Sequence, residues 1–84
     1  MDLLSIARSA IKNARKGTST KDAAEIVRRA IQAKSSGQWF VRERPDHPGM
    51  FYVAAVNGGN SGQFEVFTSK YESNGLTVTY SQWH

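Results

Sequence analysis

The residues whose types could do chemistry in this 84-residue sequence are few. They are two histidines, one glycine-rich loop and several arginines and lysines. His47 follows Asp46 in a stretch broken by Pro45, Pro48 and Gly49, and His84 is the last residue. Asp46, His47 and a serine could be assembled into a nucleophilic triad. A general base, however, must be held rigidly within about 3 Å of the proton it takes. A turn tip and a chain end are poor supports for that. Two histidines without further ligands at suitable spacing do not make a metal site. Cysteine is absent, which excludes thiolate zinc sites and thiol nucleophiles. The expectation is a chain that is not an enzyme and carries no metal or cofactor.

The segment Asn57-Gly58-Gly59-Asn60-Ser61-Gly62 has the glycine content of a phosphate cradle. It lacks the Lys-Ser/Thr ending and leads into a strand rather than a helix start, so it reads as a hairpin loop.

Charge is distributed unevenly. Residues 1–37 carry eight basic residues against three acidic ones, and residues 38–84 carry three against four. The positive field therefore belongs to the first half, and it favours acidic partners: nucleic acid, a phosphate group or an acidic protein surface. Arg8, Lys12 and Arg15 stand at i, i+4 and i+7, the spacing of one stripe along a helix. Such a stripe could follow nucleic-acid phosphates, or it could be an ordinary solvated face.

The elements that would hold these residues follow from periodicity. Leu3, Ile6, Ala7, Ala10, Ile11 and Ala14 repeat at helical spacing after Asp2, a capping residue, and Gly17 is a natural stop. The first helix is expected over 3–16. Ser19 stands three residues before Asp22, as in a capping box. Ala23, Ile26, Val27, Ala30 and Ile31 then form the apolar stripe of a second helix over 20–34, with Glu25 placed to pair with Arg28 and Arg29.

After Gly37 the period changes to two. Strands are expected over 38–44, 50–56, 63–68 and 76–82, the last two joined by a turn ending in Asn74-Gly75. The resulting fold class is α+β, a single domain in the order ααββββ. Two N-terminal helices pack on one face of a four-stranded antiparallel β-meander. Alternation then raises a question about the other face. Trp39 and Val41 point opposite to Phe40, and Phe51 and Val53 opposite to Tyr52, so large apolar groups occupy both sides of the sheet. Two helices cover only one side. The second must meet a partner, pair with another copy as a homodimer, or lie under loops.

Residues 37–66 resemble the central segment of the Src-homology-two, or phosphotyrosine-recognition, domain. The resemblance rests on Gly37-Gln38-Trp39-Phe40-Val41-Arg42-Glu43, then Pro48-Gly49-Met50-Phe51, then Phe64-Glu65-Val66, with Ala24-Glu25 on the preceding helix. It implies that Arg42 grips a phosphate, with Lys21 in the place of the family's helix arginine. A planar guanidinium suits that role because it can bind two phosphate oxygens at once. The chain departs from the family at Arg44, where a serine is usual, and at Gln63, where a histidine is usual. Both helices also precede the sheet.

No apolar run approaches the length of a membrane span, and Met1–Ile11 is too short and too interrupted by Arg8 to direct export. The expectation is a cytoplasmic protein, in a bacterial or host cell, that does not engage membranes. The functional expectation is a small protein-binding module, an adaptor or inhibitor. It would use Arg42, Arg44, Lys21 and Tyr52, or the stripe Arg8, Lys12 and Arg15, against an acidic or phosphorylated partner. The alternatives are nucleic-acid binding through the basic helices, and a small phage or mobile-element protein that blocks a host enzyme or defence complex.

Overall fold

The computed structural model describes residues 2–56 and 62–81. Asn57–Ser61, read above as a loop, and Gln82, Trp83 and His84 lie outside them.

Helix α1 spans Leu3–Lys12. Asp2 starts it by accepting the amides of Leu4 at 2.7 Å and Ser5 at 3.2 Å, two donors that no helical carbonyl can reach. The helix stops four residues before the expected end at Lys16. Asn13 is its C-cap, and the Ala14 amide reaches back only three residues, to Ile11 O at 3.1 Å. The side chain of Asn74, from the distant β3–β4 turn, donates to Ile11 O at 2.8 Å and Ala14 O at 3.0 Å. A long-range contact thus fixes an end that local periodicity would have extended.

Helix α2 spans Thr20–Lys34, as expected, with Ser19 Oγ accepting from the Asp22 amide at 3.1 Å. Its buried face is Ala23, Ala24, Val27 and Ile31. Glu25 meets Arg28 at 2.6 Å and Arg29 at 3.6 Å.

Four strands follow: β1 Trp39–Glu43, β2 Phe51–Ala55, β3 Gln63–Thr68 and β4 Leu76–Ser81. Each pairs antiparallel with the next, giving the sheet order β1-β2-β3-β4. The fold is the expected α+β arrangement. β1 and β2 are each one residue shorter at both ends than expected, and β3 spans the expected residues.

Strand alternation sorts the sheet into two faces. Trp39, Val41, Phe51, Val53, Phe64, Val66, Leu76 and Val78 point to the helices. There they meet Ala7, Ile11, Ala23, Ala24, Val27 and Ile31, with α2 lying over β1–β3 and α1 over β4. The alanines let the helix backbones come close to the sheet, while the branched side chains fill the space between. Burying each of those larger side chains contributes about 1.5–3 kcal/mol. This single layer is the core.

Candidate interaction surface

The other face of the sheet points away from both helices. Its residues alternate with the core row: Phe40 and Arg42 on β1, Tyr52 and Ala54 on β2, Gln63, Glu65 and Phe67 on β3, Thr77 and Thr79 on β4. Phe40 and Tyr52 meet edge to face, with ring centroids 6.1 Å apart and planes at 74°. Arg42 lies opposite Tyr52 in the β1–β2 register, and Glu65 lies opposite Tyr52 in the β2–β3 register. Ala54, Gln63 and Glu65, along the middle of this face, are buried, Phe40, Tyr52 and Phe67 are each half-buried, and Arg42 is exposed.

The two arginines of this region behave differently. Arg44 is consumed by carboxylates. Its Nε and Nη2 donate to the two Asp46 oxygens at 3.0 and 2.6 Å, and its Nη1 donates to Glu65 Oε2 at 2.9 Å. Glu65 explains why. Its side chain is only 12% exposed, and a carboxylate taken that far out of water must be paired. The Arg44 hydrogen bonds hold the Asp46 carboxyl below its ordinary range, and Asp46, then Glu65, raise the Arg44 guanidinium further above its own. Arg42, by contrast, enters no ion pair among the described residues. Of the two sheet arginines, Arg42 alone can offer its charge to another molecule.

Lys21 is exposed in the first turn of α2 and so belongs to the helical layer, whereas Arg42 projects from the opposite face of the sheet. The structure does not bring these two together. Tyr52 does stand beside Arg42 on the uncovered face.

The basic stripe is shorter than expected. Arg8 and Lys12 are exposed on α1 and form one wall of a cavity of about 370 Å³, with Asn74, Thr77 and Thr79 opposite. Arg15 lies past the end of α1 and does not continue their line, because the helix closes at Asn13.

His47 is 61% exposed, and its Nε2 lies 3.7 Å from Asp46 Oδ2, an oxygen already engaged by Arg44. Among the described residues no group of three or more histidine, aspartate or glutamate side chains is arranged to hold a metal ion. A second hollow, of about 540 Å³, opens at the other end of the molecule between Leu3, Leu4, Trp39, Phe64 and Tyr80. Gly62 is among the residues that line it. Its amide donates to the Tyr80 hydroxyl at 2.8 Å, and a Cβ there would collide with Ser81 O.

Sequence reasoning set Phe40 opposite Trp39 and Val41, and Tyr52 opposite Phe51 and Val53; the β1–β2 register adds that Phe40, Arg42 and Tyr52 share one face. Sequence reasoning missed the Arg44–Asp46–Glu65 cluster. The available signal was Glu65 itself, a charged residue between Phe64 and Val66 at a central position of the meander, which requires a cation nearby.

No helix among the described residues is long and apolar enough to cross a membrane. Comparison with protein-family models, with curated proteins and with solved structures finds no match to this chain.

Proposed function

We propose that this chain is a non-catalytic protein-binding module, an adaptor or inhibitor, that docks an acidic protein surface on the uncovered face of its sheet. The observation that carries the reading is the pairing of aromatic rings with one unspent cation. Phe40, Tyr52 and Phe67 lie on the face that neither α1 nor α2 covers, and Arg42 stands among them without a carboxylate partner among the described residues. Aromatic residues and arginine dominate the energetics of protein interfaces, because each brings a large area or several donors at small entropic cost.

A carboxylate fits Arg42 better than a phosphate does. A phosphate dianion calls for more than one cation, and here Arg44 is neutralised and Lys21 sits on the other layer. The test is to capture partners with the native chain and with Arg42→Glu, then titrate the purified partner against both. The reading expects Arg42→Glu to weaken binding at least tenfold with the melting temperature unchanged. Equal binding by both chains rejects it.

A second reading has one observation in its favour. Arg8 and Lys12 are exposed on one side of α1 and enter no ion pair among the described residues. These cations suit a nucleic-acid backbone. If they bind one, affinity falls steeply with salt, and neutralising both residues flattens the slope by about two. Absence of DNA or RNA binding at low salt removes this reading.

A further inference from the structure

The two edges of the sheet are not alike. Hydrogen bonds at the hairpins fix which backbone groups point inward. Arg44 N donates to Met50 O at 2.9 Å, and Val56 N donates to Gln38 O at 2.8 Å. With the antiparallel alternation, Phe40 and Arg42 therefore bond to β2, while Trp39, Val41 and Glu43 direct their N–H and C=O groups outward. On β4 the bond from Ser69 N to Gly75 O at 2.9 Å places the outward groups on Leu76, Val78 and Tyr80.

The β4 edge is closed along much of its length. The Leu76 amide is taken by Asn74 Oδ1 at 3.2 Å, and Val78 is only 2% exposed, with α1 packed over the strand. The β1 edge is closed at its two ends only. Gln32 Oε1 accepts the Trp39 amide at 3.0 Å, and Pro45 has no N–H to offer. Between them Val41 is half-buried and Glu43 exposed, and among the described residues no hydrogen bond reaches their outward N–H and C=O groups. An edge left open in this way is a template for another strand.

Resting on the docking face described above, we propose that the partner presents an extended acidic segment that adds a strand to β1. Its backbone would pair with Val41 and Glu43. Its residue opposite Arg42 would lie on the uncovered face, with its carboxylate at the Arg42 guanidinium and Phe40 alongside. Its neighbours would turn to the other side and pack apolar groups beside Val41. Alternation of acidic and apolar residues is thus the pattern that fits. A second copy of this chain fits less well. Its own β1 would bring a second Arg42 rather than a carboxylate to this face, and its only carboxylate on β1, Glu43, points to the helix face, away from Arg42.

The probe is acetyl-valyl-glutamyl-valyl-glutamyl-valine amide, titrated into the isotope-labelled full chain and followed by amide shifts. With the glutamates at the uncovered face, the valine amides are the ones that face β1. The expected result is a shift confined to the Val41 and Glu43 amides and their neighbours on β1. The same peptide N-methylated at its valines should bind about tenfold more weakly or worse, the loss of two backbone hydrogen bonds. Arg42→Ala should weaken the unmethylated peptide to a similar degree. Equal binding of the two peptides, with Arg42→Ala still harmful, overturns strand addition but leaves the docking face standing. Binding indifferent to Arg42→Ala overturns the acidic partner, and no binding at millimolar peptide overturns the proposal outright. A dimer of the peptide-free chain that perturbs the same β1 amides makes a second copy the occupant and also overturns it.

Discussion

Asn74 ties the β3–β4 turn to the end of α1, and its removal has a calculable cost. Its Nδ2 donates to Ile11 O at 2.8 Å and Ala14 O at 3.0 Å, and its Oδ1 accepts the Leu76 amide at 3.2 Å. Asn74→Ala deletes all three bonds, each contributing about 0.5–1.5 kcal/mol net. Ile11 O keeps the Ala14 amide at 3.1 Å, so its loss is the mildest. The Leu76 amide belongs to a residue 3% exposed, so water replaces its partner poorly. A total of about 2–3 kcal/mol follows, a large fraction of the roughly 4–13 kcal/mol expected for a chain of this length. At about 4–8 °C per kcal/mol for a domain of this size, the melting temperature should fall by roughly 8–24 °C. Calorimetry of the two chains measures it. Asn74→Asp sharpens the test, because it keeps the acceptor for Leu76 but aims a carboxylate at two carbonyls beside the negative end of a helix. It should melt below Asn74→Ala at pH 7. Those carbonyls would raise the new carboxyl's pKa in the fold, so its deficit should shrink as pH falls through the carboxylate range. An Asn74→Ala chain melting within about 2 °C of the native one would refute the reasoning.

Gly62→Ala should destabilise by about 1–3 kcal/mol, because the new Cβ meets backbone rather than a pliable side-chain tip. It would collide with Ser81 O, and a urea midpoint unchanged from the native chain would contradict the contact. In acid, stability should decline by a shallow slope. Hydrogen bonds from Ser5 hold the Asp2 carboxyl below the usual carboxylate range, and Arg28 and Arg44 do the same for Glu25 and Asp46. Groups depressed in the fold stabilise it fully above their unfolded values and lose that contribution as pH falls below them. Melts should therefore be level from pH 7 to about pH 5 and fall below about pH 4.5. The fall is small because these side chains are exposed and screened. Melts identical at pH 7 and pH 3 would contradict the ion pairs.

Much of this fold was legible because its signals are local. Asp2 and Ser19 announce the helix starts, the apolar period switches from 3.6 to 2 at Gly37, and strand alternation alone separates Phe40 and Arg42 from Trp39 and Val41. What could not be read depends on contacts between distant residues. The early end of α1 comes from Asn74, some sixty residues away, and it removes Arg15 from the basic stripe. Arg44 and Arg42 look equivalent in sequence. Only the register, which brings the buried Glu65 to Arg44, shows which of them is already neutralised. Lys21 and Arg42 could be joined by resemblance on paper, but the sheet's two faces keep them apart.

The central claim is that the uncovered sheet face, and not the cationic side of α1, is where this chain meets its partner. The direct measurement is a side-by-side titration of the purified partner with the native chain, with Phe40→Ser plus Arg42→Glu, and with Arg8→Glu plus Lys12→Glu. All three chains should first be matched by melting temperature. The account predicts that the sheet-face pair abolishes binding and the helix pair changes affinity by less than about threefold, as rim charges do. Binding that survives on the sheet-face variant and is lost on the helix variant would contradict it.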